Sequence, residues 1–595
     1  MMARLLEWLD RRTGVLRGTL AVLLEPIPGG PRWRHVWGTL LALVFATQIV
    51  TGFFLWTGYS ASAQTAWESV YYLEHEVSGG WFLRGLHHFT AQLLVVLLVV
   101  HLVTLVLSRA YTAPRELSFW LALILVPLFV GMSVTGWLLP FDQRAYWAAR
   151  VPLNLLGLTP VLGPALQPVL IGGPEVGHLT LTRFLALHAG LLPLLIGGIL
   201  LLHLHLLFRE RVAAPSSQAT TSGRPYWPDQ ACLDAFAFAL ALALLVVVVL
   251  VTGGAGLGAP ADPSQEYSAA RPEWLFLFLY QFLKLFPGPA EIWGAVVLPS
   301  LVFLVFVAMP WIGRSARGHA LNVILVLALL VGAAGLTGAA WFADSRDPEY
   351  QAAVAQARVE GDRARLLAGS PAGIPIAGAL ALTRGDPWLR GPRLFASYCA
   401  GCHRFDGHDG LGVVPGEEPS ASDLKGFAGR AWLAGLFDPE RVDDLHYFGG
   451  TRFKEGRMVR FVKRDVAGFT PEQKAELQSV IAALSAEAAL PRQRDLDRDE
   501  AGRIAAGRAA IANEDMRCTE CHKFHEHDDE PVGPDLTGYG SRAWLVDFIG
   551  DPAHVRFYGR RNDRMPSYAV DQVLDEEAIG LIVDWLREDW YIPEP

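Results

Sequence analysis

Seven long runs of apolar residues dominate the first 343 residues of the chain. Each run holds the roughly 20 residues that an α-helix needs to cross a bilayer. We expect the first helix to remain as an anchor, because no signal peptide with a small-residue cleavage site precedes it. The pattern therefore predicts seven membrane-spanning helices, at about 35–57, 82–107, 116–139, 184–208, 232–253, 291–312 and 319–342.

Composition separates this part of the chain from the rest. Hydrophobic residues make up 52% and charged residues 18% of the 595 residues. Residues 1–343 carry 19 Lys and Arg against 16 Asp and Glu, whereas 344–595 carry 31 against 43, for a net charge of −9. A charge-poor membrane part is thus followed by an acidic, water-soluble part. This balance excludes a broad nucleic-acid footprint and suits a cationic protein partner.

Basic residues in the loops predict the orientation of the membrane part. Thirteen arginines fall on the set of loops that includes the N-terminus, against six basic residues on the opposite set. By the positive-inside rule the N-terminus lies in the cytoplasm, and seven crossings place the acidic tail outside. We therefore expect a multi-pass protein of the bacterial cytoplasmic (inner) membrane whose tail is periplasmic.

Four histidines lie within the second and fourth apolar runs, where polar side chains are costly. His87 and His101 are 14 residues apart, and His188 and His203 are 15 apart. On an α-helix these separations span about 21–22 Å, with both members on nearly the same face. Two such helices side by side present two His–His pairs, and two imidazoles fill both axial positions of a haem iron. The alternative is four unrelated histidines hydrogen-bonded within the bundle.

Four segments resemble the cytochrome b subunit of the cytochrome bc family of quinol oxidoreductases. The resemblance covers nearly all of 1–343 and is nearest to the b/f form, with which it shares the seven helices and the 15-residue spacing. That form is split into two chains, whereas here the linker 212–228 joins an N-terminal part (1–211) to a C-terminal part (212–343). The segments are GWFLRGLHH (80–88), TGWLLPFDQRAYW (135–147), LTRFLALHAGLLP (181–193) and PADPSQEYSAARPEWLFLFLYQFLK (260–284).

The resemblance implies two b haems with defined ligands. His87 and His188 bind the iron of the haem near the outer surface, and His101 and His203 bind the iron of the haem near the cytoplasm.

The resemblance also implies residues that contact the haems. Arg84 and Arg183 match arginines that pair with haem propionates, and a guanidinium suits a carboxylate. Gly38 and Gly52 match glycines that let a haem lie close to the backbone. The alternative for these glycines is helix packing through small residues.

The residues Pro-Glu-Trp-Leu at 272–275 match the family motif Pro-Glu-Trp-Tyr at three of four positions. In that family the glutamate accepts a proton from quinol at the outer oxidation site. A carboxylate in an apolar setting is also a better base on physical grounds. We therefore expect Glu273 to be catalytic, together with Tyr280, which matches a family tyrosine. Leu275 replaces the usual tyrosine, and the alternative for Glu273 is a plain loop carboxylate.

The acidic tail contains two Cys-x-x-Cys-His motifs, YCAGCH (398–403) and RCTECH (517–522). This signature attaches haem c through two thioethers and supplies an iron ligand. The alternative, one zinc site shared by both cysteine pairs, places its ligands 116 residues apart. The motifs thus predict two covalent c haems, with thioethers from Cys399, Cys402, Cys518 and Cys521 and iron ligands His403 and His522.

The sixth ligand of each c haem lies further along the chain. Met565, in DRMPSY, resembles the Met-Pro loop of class I cytochromes c and is predicted for the second haem. Met458, in GRMVRF, is predicted for the first haem, with His446 and His408 as alternatives.

The predicted fold is all-α, with a seven-helix transmembrane bundle followed by two small helical cytochrome c domains. The tail is divided into a linker at 344–390, a first cytochrome c domain at 391–490 and a second at 491–595.

The resemblance implies a cytochrome b/c fusion subunit of a quinol:cytochrome c oxidoreductase. Quinol is oxidised at the outer site, one electron passes through the c haems to a soluble acceptor such as a cytochrome c, and the other crosses through the b haems, coupled to proton translocation. The fifth cysteine, Cys232, lies in an apolar run, so a Rieske iron–sulfur cluster requires a separate subunit. A homodimer in membrane lipid follows by resemblance. The alternative is a non-bifurcating membrane electron conduit, which needs no Glu273 motif.

Overall fold

The chain folds into two units, Met1–Leu380 and Ala381–Pro595. Both are predominantly helical, which confirms the predicted fold class. The sheet found among the described residues has two short antiparallel strands, Pro26–Ile27 and Arg224–Pro225. Residues 213–223 of the predicted linker lie outside the described residues. The structure, a computed structural model, describes residues 2–27, 30–212, 224–513, 516–525 and 532–593.

Seven helices in the described part of the chain are long and apolar enough to cross a membrane, as the hydrophobic pattern predicts. Some extend past the apolar runs by one or two polar turns, because a helix continues to satisfy its own backbone beyond the hydrocarbon. The fourth begins at His178 and the fifth at Tyr226, each about six residues before its run. The seven are Trp33–Gly58, Gly80–Leu107, Glu116–Leu138, His178–Leu207, Tyr226–Thr252, Gly288–Ile312 and Ala316–Arg346.

Shorter helices of the first unit lie before, between and after these spans. Gln143–Gly157 is capped by Asp142, whose carboxylate accepts from the Ala145 amide. Pro348–Ala368 is capped by Asp347 and follows the seventh span directly, where the sequence predicts a linker helix. The others are Met2–Thr13, Val15–Leu23, Ala66–His75, Leu162–Ile171 and Trp274–Leu283.

An apolar core separates the two levels at which the predicted histidine pairs lie. It is formed by the first four spanning helices, and its members fall between the paired histidines in sequence. Phe45 and Phe129 meet edge to face there, with ring centroids 5.6 Å apart. Leu94, Leu97 and Ile196 are almost fully buried beside them. The bundle thus holds a dry layer between two polar levels.

Two of the family-like segments are joined by backbone pairing. Asp142 forms an isolated antiparallel bridge with Pro260. Its carboxylate also accepts from the Gly258 amide at 2.9 Å. The loop after the third span therefore lies against the loop that leads into Pro-Glu-Trp-Leu.

The second unit contains two separate hydrophobic cores. In one, helix Pro387–Tyr398 packs on Glu576–Leu586; in the other, Pro471–Glu487 packs on Ala501–Ile511. Each core therefore draws helices from both halves of the tail, and the boundary predicted at 490 does not separate the cores. The remaining helices are Leu380–Arg384, Arg430–Leu436, Arg457–Arg464, Arg494–Asp499 and Arg542–Gly550.

Candidate functional site

The four spanning histidines form two facing pairs. The ring centroids of His87 and His188 are 6.2 Å apart, and those of His101 and His203 are 6.3 Å apart. A metal–nitrogen bond of about 2 Å, with about 1.1 Å from the nitrogen to the ring centroid, places two imidazoles on one metal about 6.3 Å apart. Both pairs therefore have the separation of two axial ligands on one iron.

Hydrogen bonds to Nδ1 orient three of the four rings. His188 Nδ1 lies 2.9 Å from the Met132 carbonyl oxygen, and His203 Nδ1 lies 2.9 Å from that of Ser118. His87 Nδ1 lies 2.9 Å from the Thr51 hydroxyl, which already donates to the Thr47 carbonyl. Each partner accepts, so the proton sits on Nδ1 and Nε2 is left free as a metal ligand.

Glycines lie against three of the rings. A Cβ atom added at Gly52 lies 3.0 Å from Cε1 of His87, and one at Gly38 lies 3.5 Å from Cε1 of His101. Gly136, which the sequence reasoning did not single out, is closer still: its added Cβ lies 2.6 Å from Cε1 of His188. These positions leave room for the imidazole rings themselves.

A π-turn explains the unequal histidine spacing. Residues Ala186–Leu191, which include His188, form one wide turn within the fourth spanning helix. Such a turn accommodates one extra residue in an α-helix. It restores the register of His188 and His203, 15 apart, with His87 and His101, 14 apart. Hydrophobic periodicity carries no signal for this turn.

We expect Gly136→Ala to disturb the outer histidine pair selectively. The new methyl group overlaps the His188 ring, so the ring must move from its position opposite His87. The expected result is loss or a shifted midpoint potential of one b haem. Gly131→Ala is the matched control on the same helix, because its added Cβ comes no nearer than 3.9 Å to a neighbouring atom. Equal haem content and potentials in both variants would contradict this reading.

The two predicted propionate arginines are both engaged with the protein. Arg84 forms an ion pair with Glu74 and donates to the Gly256 carbonyl at 2.8 Å. Arg183 donates to the backbone carbonyls of Pro168 and Val169. Both lie within five residues of a paired histidine, Arg84 before His87 and Arg183 before His188.

Glu273 lies at the start of a short helical turn and forms an ion pair with Arg144. The Arg144 Nη2 to Glu273 Oε1 distance is 3.0 Å, and the Glu273 side chain is 16% exposed. Arg144 belongs to the quoted segment TGWLLPFDQRAYW, but sequence reasoning did not assign it this partner. Their contact is a consequence of the backbone pairing between the two loops.

A chain of hydrogen bonds links the Glu273 loop to the second spanning helix. Trp274 Nε1 donates to the Gln92 side-chain oxygen at 2.9 Å. The Gln92 amide nitrogen lies 2.9 Å from Nε2 of His88, the neighbour of His87. Sequence reasoning missed Gln92, which carries no motif. The loop carboxylate and the outer histidine pair thus share one end of the bundle.

Tyr280 lies among cationic side chains. Its ring has the Arg271 guanidinium 5.0 Å and the Lys284 ammonium 4.3 Å from its centroid. Arg271 is held by Asp344, with Nε–Oδ distances of 3.1 Å. The loop is therefore anchored to the end of the seventh spanning helix.

The two Cys-x-x-Cys-His motifs are built alike. His403 Nδ1 lies 2.8 Å from the Ser422 carbonyl oxygen, and His522 Nδ1 lies 2.8 Å from that of Pro534. This leaves Nε2 of each ring free. Burial lowers the pKa of both imidazoles, which favours the neutral form that binds iron.

The cysteines of the two motifs belong to different cores. Cys399 packs in the core of helix Pro387–Tyr398, and Cys518 packs in the core of helix Ala501–Ile511. Burial raises the pKa of Cys399 to about 12 and that of Cys518 to about 11. Neutral thiols in separate apolar cores suit thioether bonds to two porphyrins better than one shared zinc–thiolate site.

The candidate sixth ligands also divide between the cores. Met565 packs against the core that contains Cys399, and Met458 packs against the core that contains Cys518. His408 Nδ1 accepts from the Gly410 amide at 2.9 Å. The His446 ring contacts Tyr447, with centroids 4.7 Å apart.

Comparisons with known proteins agree with the resemblance. Residues 27–211 match the family described as cytochrome b/b6/petB, and residues 260–352 match the family described as cytochrome b(C-terminal)/b6/petD. The cytochrome b of Rhodobacter capsulatus is 30% identical over 310 residues, which cover 50% of this chain and 70% of that protein. The chain belongs to the cytochrome b/b6 family.

Further relatives match the first part of the chain. The menaquinol:cytochrome c reductase cytochrome b subunit of Geobacillus thermodenitrificans is 33% identical over 223 residues, 36% of this chain and all of that protein. Cytochrome b6 of Synechococcus sp. (strain JA-3-3Ab) is 32% identical over 214 residues, with the same coverage of each chain. A solved chain from a hyperthermophilic respiratory complex III has a similar fold, with a TM-score of 0.50 at 22% identity over 58% of this chain and 93% of that one.

Proposed function

We propose that the chain is the cytochrome b/c fusion subunit of a quinol:cytochrome c oxidoreductase. The observation that carries this proposal is the geometry of the histidine pairs, 6.2 and 6.3 Å between ring centroids, in a member of the cytochrome b/b6 family. Relatives whose names describe menaquinol:cytochrome c reductase support the reaction.

The membrane unit holds two b haems, one at each histidine pair. Bound haem supplies one-electron carriers on both sides of the dry layer. The chain's own part is to present Nε2 of each histidine, to fix the rings through Nδ1, and to keep water out between the levels. Arg84 and Arg183 lie near the outer pair and are the proposed contacts for its propionates.

The outer quinol site is proposed to lie at the Glu273 loop. Glu273 accepts a proton from the quinol hydroxyl, and its ion pair with Arg144 holds the carboxylate in place. The hydrogen bonds from Trp274 through Gln92 to His88 fix the loop beside the outer histidine pair. Tyr280 completes the site, and Leu275 leaves it without the hydroxyl that the family motif usually has.

The tail is proposed to carry two c haems. Each motif offers two buried thiols and an imidazole whose Nε2 is free. Thioether ligation by methionine raises the potential of these haems above that of bis-histidine b haems, so electrons flow towards them. Their exit is a soluble acceptor such as a cytochrome c, for which the acidic tail offers a complementary charge.

The remaining parts of the assembly follow from the same proposal. One electron of quinol needs a first acceptor, and we propose a separate Rieske iron–sulfur subunit. The complex is proposed to be a homodimer in the bacterial cytoplasmic (inner) membrane, with its N-terminus in the cytoplasm and its tail periplasmic. Oxidation outside and reduction inside then translocate protons.

A haem inventory tests the cofactors. Purified protein should give two b haems and two c haems per chain in a pyridine haemochrome assay. After denaturation, haem stain should remain on the 65.1 kDa chain. Cys518→Ser with Cys521→Ser should halve that stain and leave the b haems unchanged. A chain without stain contradicts the c haems, and a chain without extractable haem contradicts the b haems.

A non-bifurcating electron conduit is the second candidate. It uses the same haem ligands, but gives no role to the ion-paired Glu273 or to the loop pairing that places Arg144 beside it. The presence of this built loop favours the coupled enzyme.

A further inference from the structure

The two halves of the tail contain a second repeated segment beside the Cys-x-x-Cys-His motifs. DLKGFAGRAWL (423–433) and DLTGYGSRAWL (535–545) share seven of their 11 residues. Trp432 Nε1 donates to the Asp423 carbonyl at 3.0 Å, and Trp544 Nε1 donates to the Asp535 carbonyl at 2.8 Å. The halves are therefore two copies of one structural plan, each with a leading helix, a motif, this segment, a methionine and a closing helix.

The helices of these copies are exchanged. The leading helix of the first copy, Pro387–Tyr398, packs on the closing helix of the second, Glu576–Leu586. The closing helix of the first copy, Pro471–Glu487, packs on the leading helix of the second, Ala501–Ile511. The contacts are close: a Cβ atom added at Gly507 lies 1.8 Å from the Ser479 carbonyl oxygen. Only glycine permits that approach.

The first Cys-x-x-Cys-His motif lies in the core of the second copy's methionine loop. Phe395, Cys399 and Phe405 pack in one core with Met565. Tyr568, three residues after Met565, donates to the Tyr398 carbonyl, and burial followed by the nearby Cys399 and Cys402 raises its pKa to about 12. The methionine loop of the second copy is thus wrapped around the first motif.

The second Cys-x-x-Cys-His motif lies in the core of the first copy's methionine helix. Met458 packs in one core with Cys518 and Phe524. Arg517, which precedes Cys518, lies 3.7 Å from Asp465, just after the helix Arg457–Arg464 that carries Met458. This arrangement mirrors that of the other core.

The chain crosses between the cores in the repeated segment. Phe427 and Tyr539 are equivalent positions of the two copies, and each packs against both cores. Their ring centroids are 5.4 Å apart. Buried Arg587 closes the same region by donating to the carbonyls of Ala488 and Gly540. Beyond this point each copy continues into the core that contains the other copy's motif.

We propose that the two c haems exchange their sixth ligands between the copies, so that His403 and Met565 bind one iron and His522 and Met458 bind the other. This rests on the proposed covalent binding of haem c. It replaces the order expected from the sequence, in which each motif is paired with the next methionine. Each haem site then needs residues from both halves of the tail.

The test removes one haem and replaces each methionine in turn. In full-length protein, Cys399→Ser with Cys402→Ser leaves the haem of the second motif alone. Met458→His should then abolish the methionine–ferric iron charge-transfer band and lower the midpoint potential of the remaining c haem. Met565→His in the same background should leave both unchanged. The background Cys518→Ser with Cys521→Ser should reverse the two results.

The opposite pattern overturns the exchange: loss of the band with Met565→His while the second motif's haem is the one retained. A spectral label covers the case in which a haem-free site fails to fold. Cys399→Ser alone keeps that haem on one thioether and shifts its absorption band, so Met565→His should alter the shifted haem and Met458→His the unshifted one. Failure of both intact motifs to bind haem covalently refutes the proposed function instead, and is visible on a haem-stained gel.

Discussion

Replacing His188 with leucine should remove one of the two b haems and lower quinol:cytochrome c turnover roughly 100-fold or more. His188 faces His87 with ring centroids 6.2 Å apart, and the Met132 carbonyl fixes its ring. Leucine fills the space but offers no ligand, so the outer iron loses one axial bond. The pyridine haemochrome assay should show the ratio of b to c haem fall from 1:1 to 1:2.

His205→Leu is the matched control for this experiment. His205 lies two residues from His203 on the same helix, but its side chain is exposed and faces away from the pair. Haem content and turnover should match those of the unaltered protein. Full b haem content in His188→Leu, or equal loss in both variants, would contradict the assignment of the pairs.

Glu273→Gln should lower kcat of quinol oxidation by about 10²-fold and leave both haem types in place, because a positioned general base contributes about 10²–10⁴-fold. Glutamine keeps the shape and can still contact Arg144, 3.0 Å away in the unaltered protein, but it cannot accept the quinol proton. The measurement is steady-state reduction of a soluble cytochrome c by quinol, with haem spectra recorded on the same sample.

Glu266→Gln is the control on the same loop. Glu266 is an exposed carboxylate seven residues before Glu273, so its removal changes the loop charge by the same amount. It should change turnover by less than about 2-fold, as expected for a screened surface charge. If Glu273→Gln is as active as Glu266→Gln, proton transfer does not pass through Glu273.

The membrane fold was predictable because its signals are local. Apolar runs of about 20 residues define the spans, and the histidine spacings define two levels within them. The π-turn at Ala186–Leu191 was not predictable, since no residue type encodes it. Gly136 was missed because its role depends on which ring it faces, and that is a property of helix packing.

Long-range partners were harder to predict than ligands. Arg144 and Glu273 are 129 residues apart, and only the pairing of their loops brings them together. In the tail, the motifs identify the cysteines and histidines, but sequence order suggests the wrong neighbours for the helices. Helix Pro387–Tyr398 packs on Glu576–Leu586 at the far end of the chain. Two copies of one plan offer equivalent apolar faces, so the pattern alone cannot distinguish exchanged from sequential pairing.

Bifurcated electron transfer is the central claim, and an oxidant pulse tests it most directly. The purified complex is poised with quinol while the cytoplasmic quinone site is blocked, and the b and c absorption bands are followed separately after the pulse. The account predicts that the b haems become reduced while the c haems are oxidised, since the two electrons of quinol take separate routes. If the b haems stay unchanged or are oxidised together with the c haems, the chain is a linear conduit and the proposed roles of Glu273 and the Rieske partner are wrong.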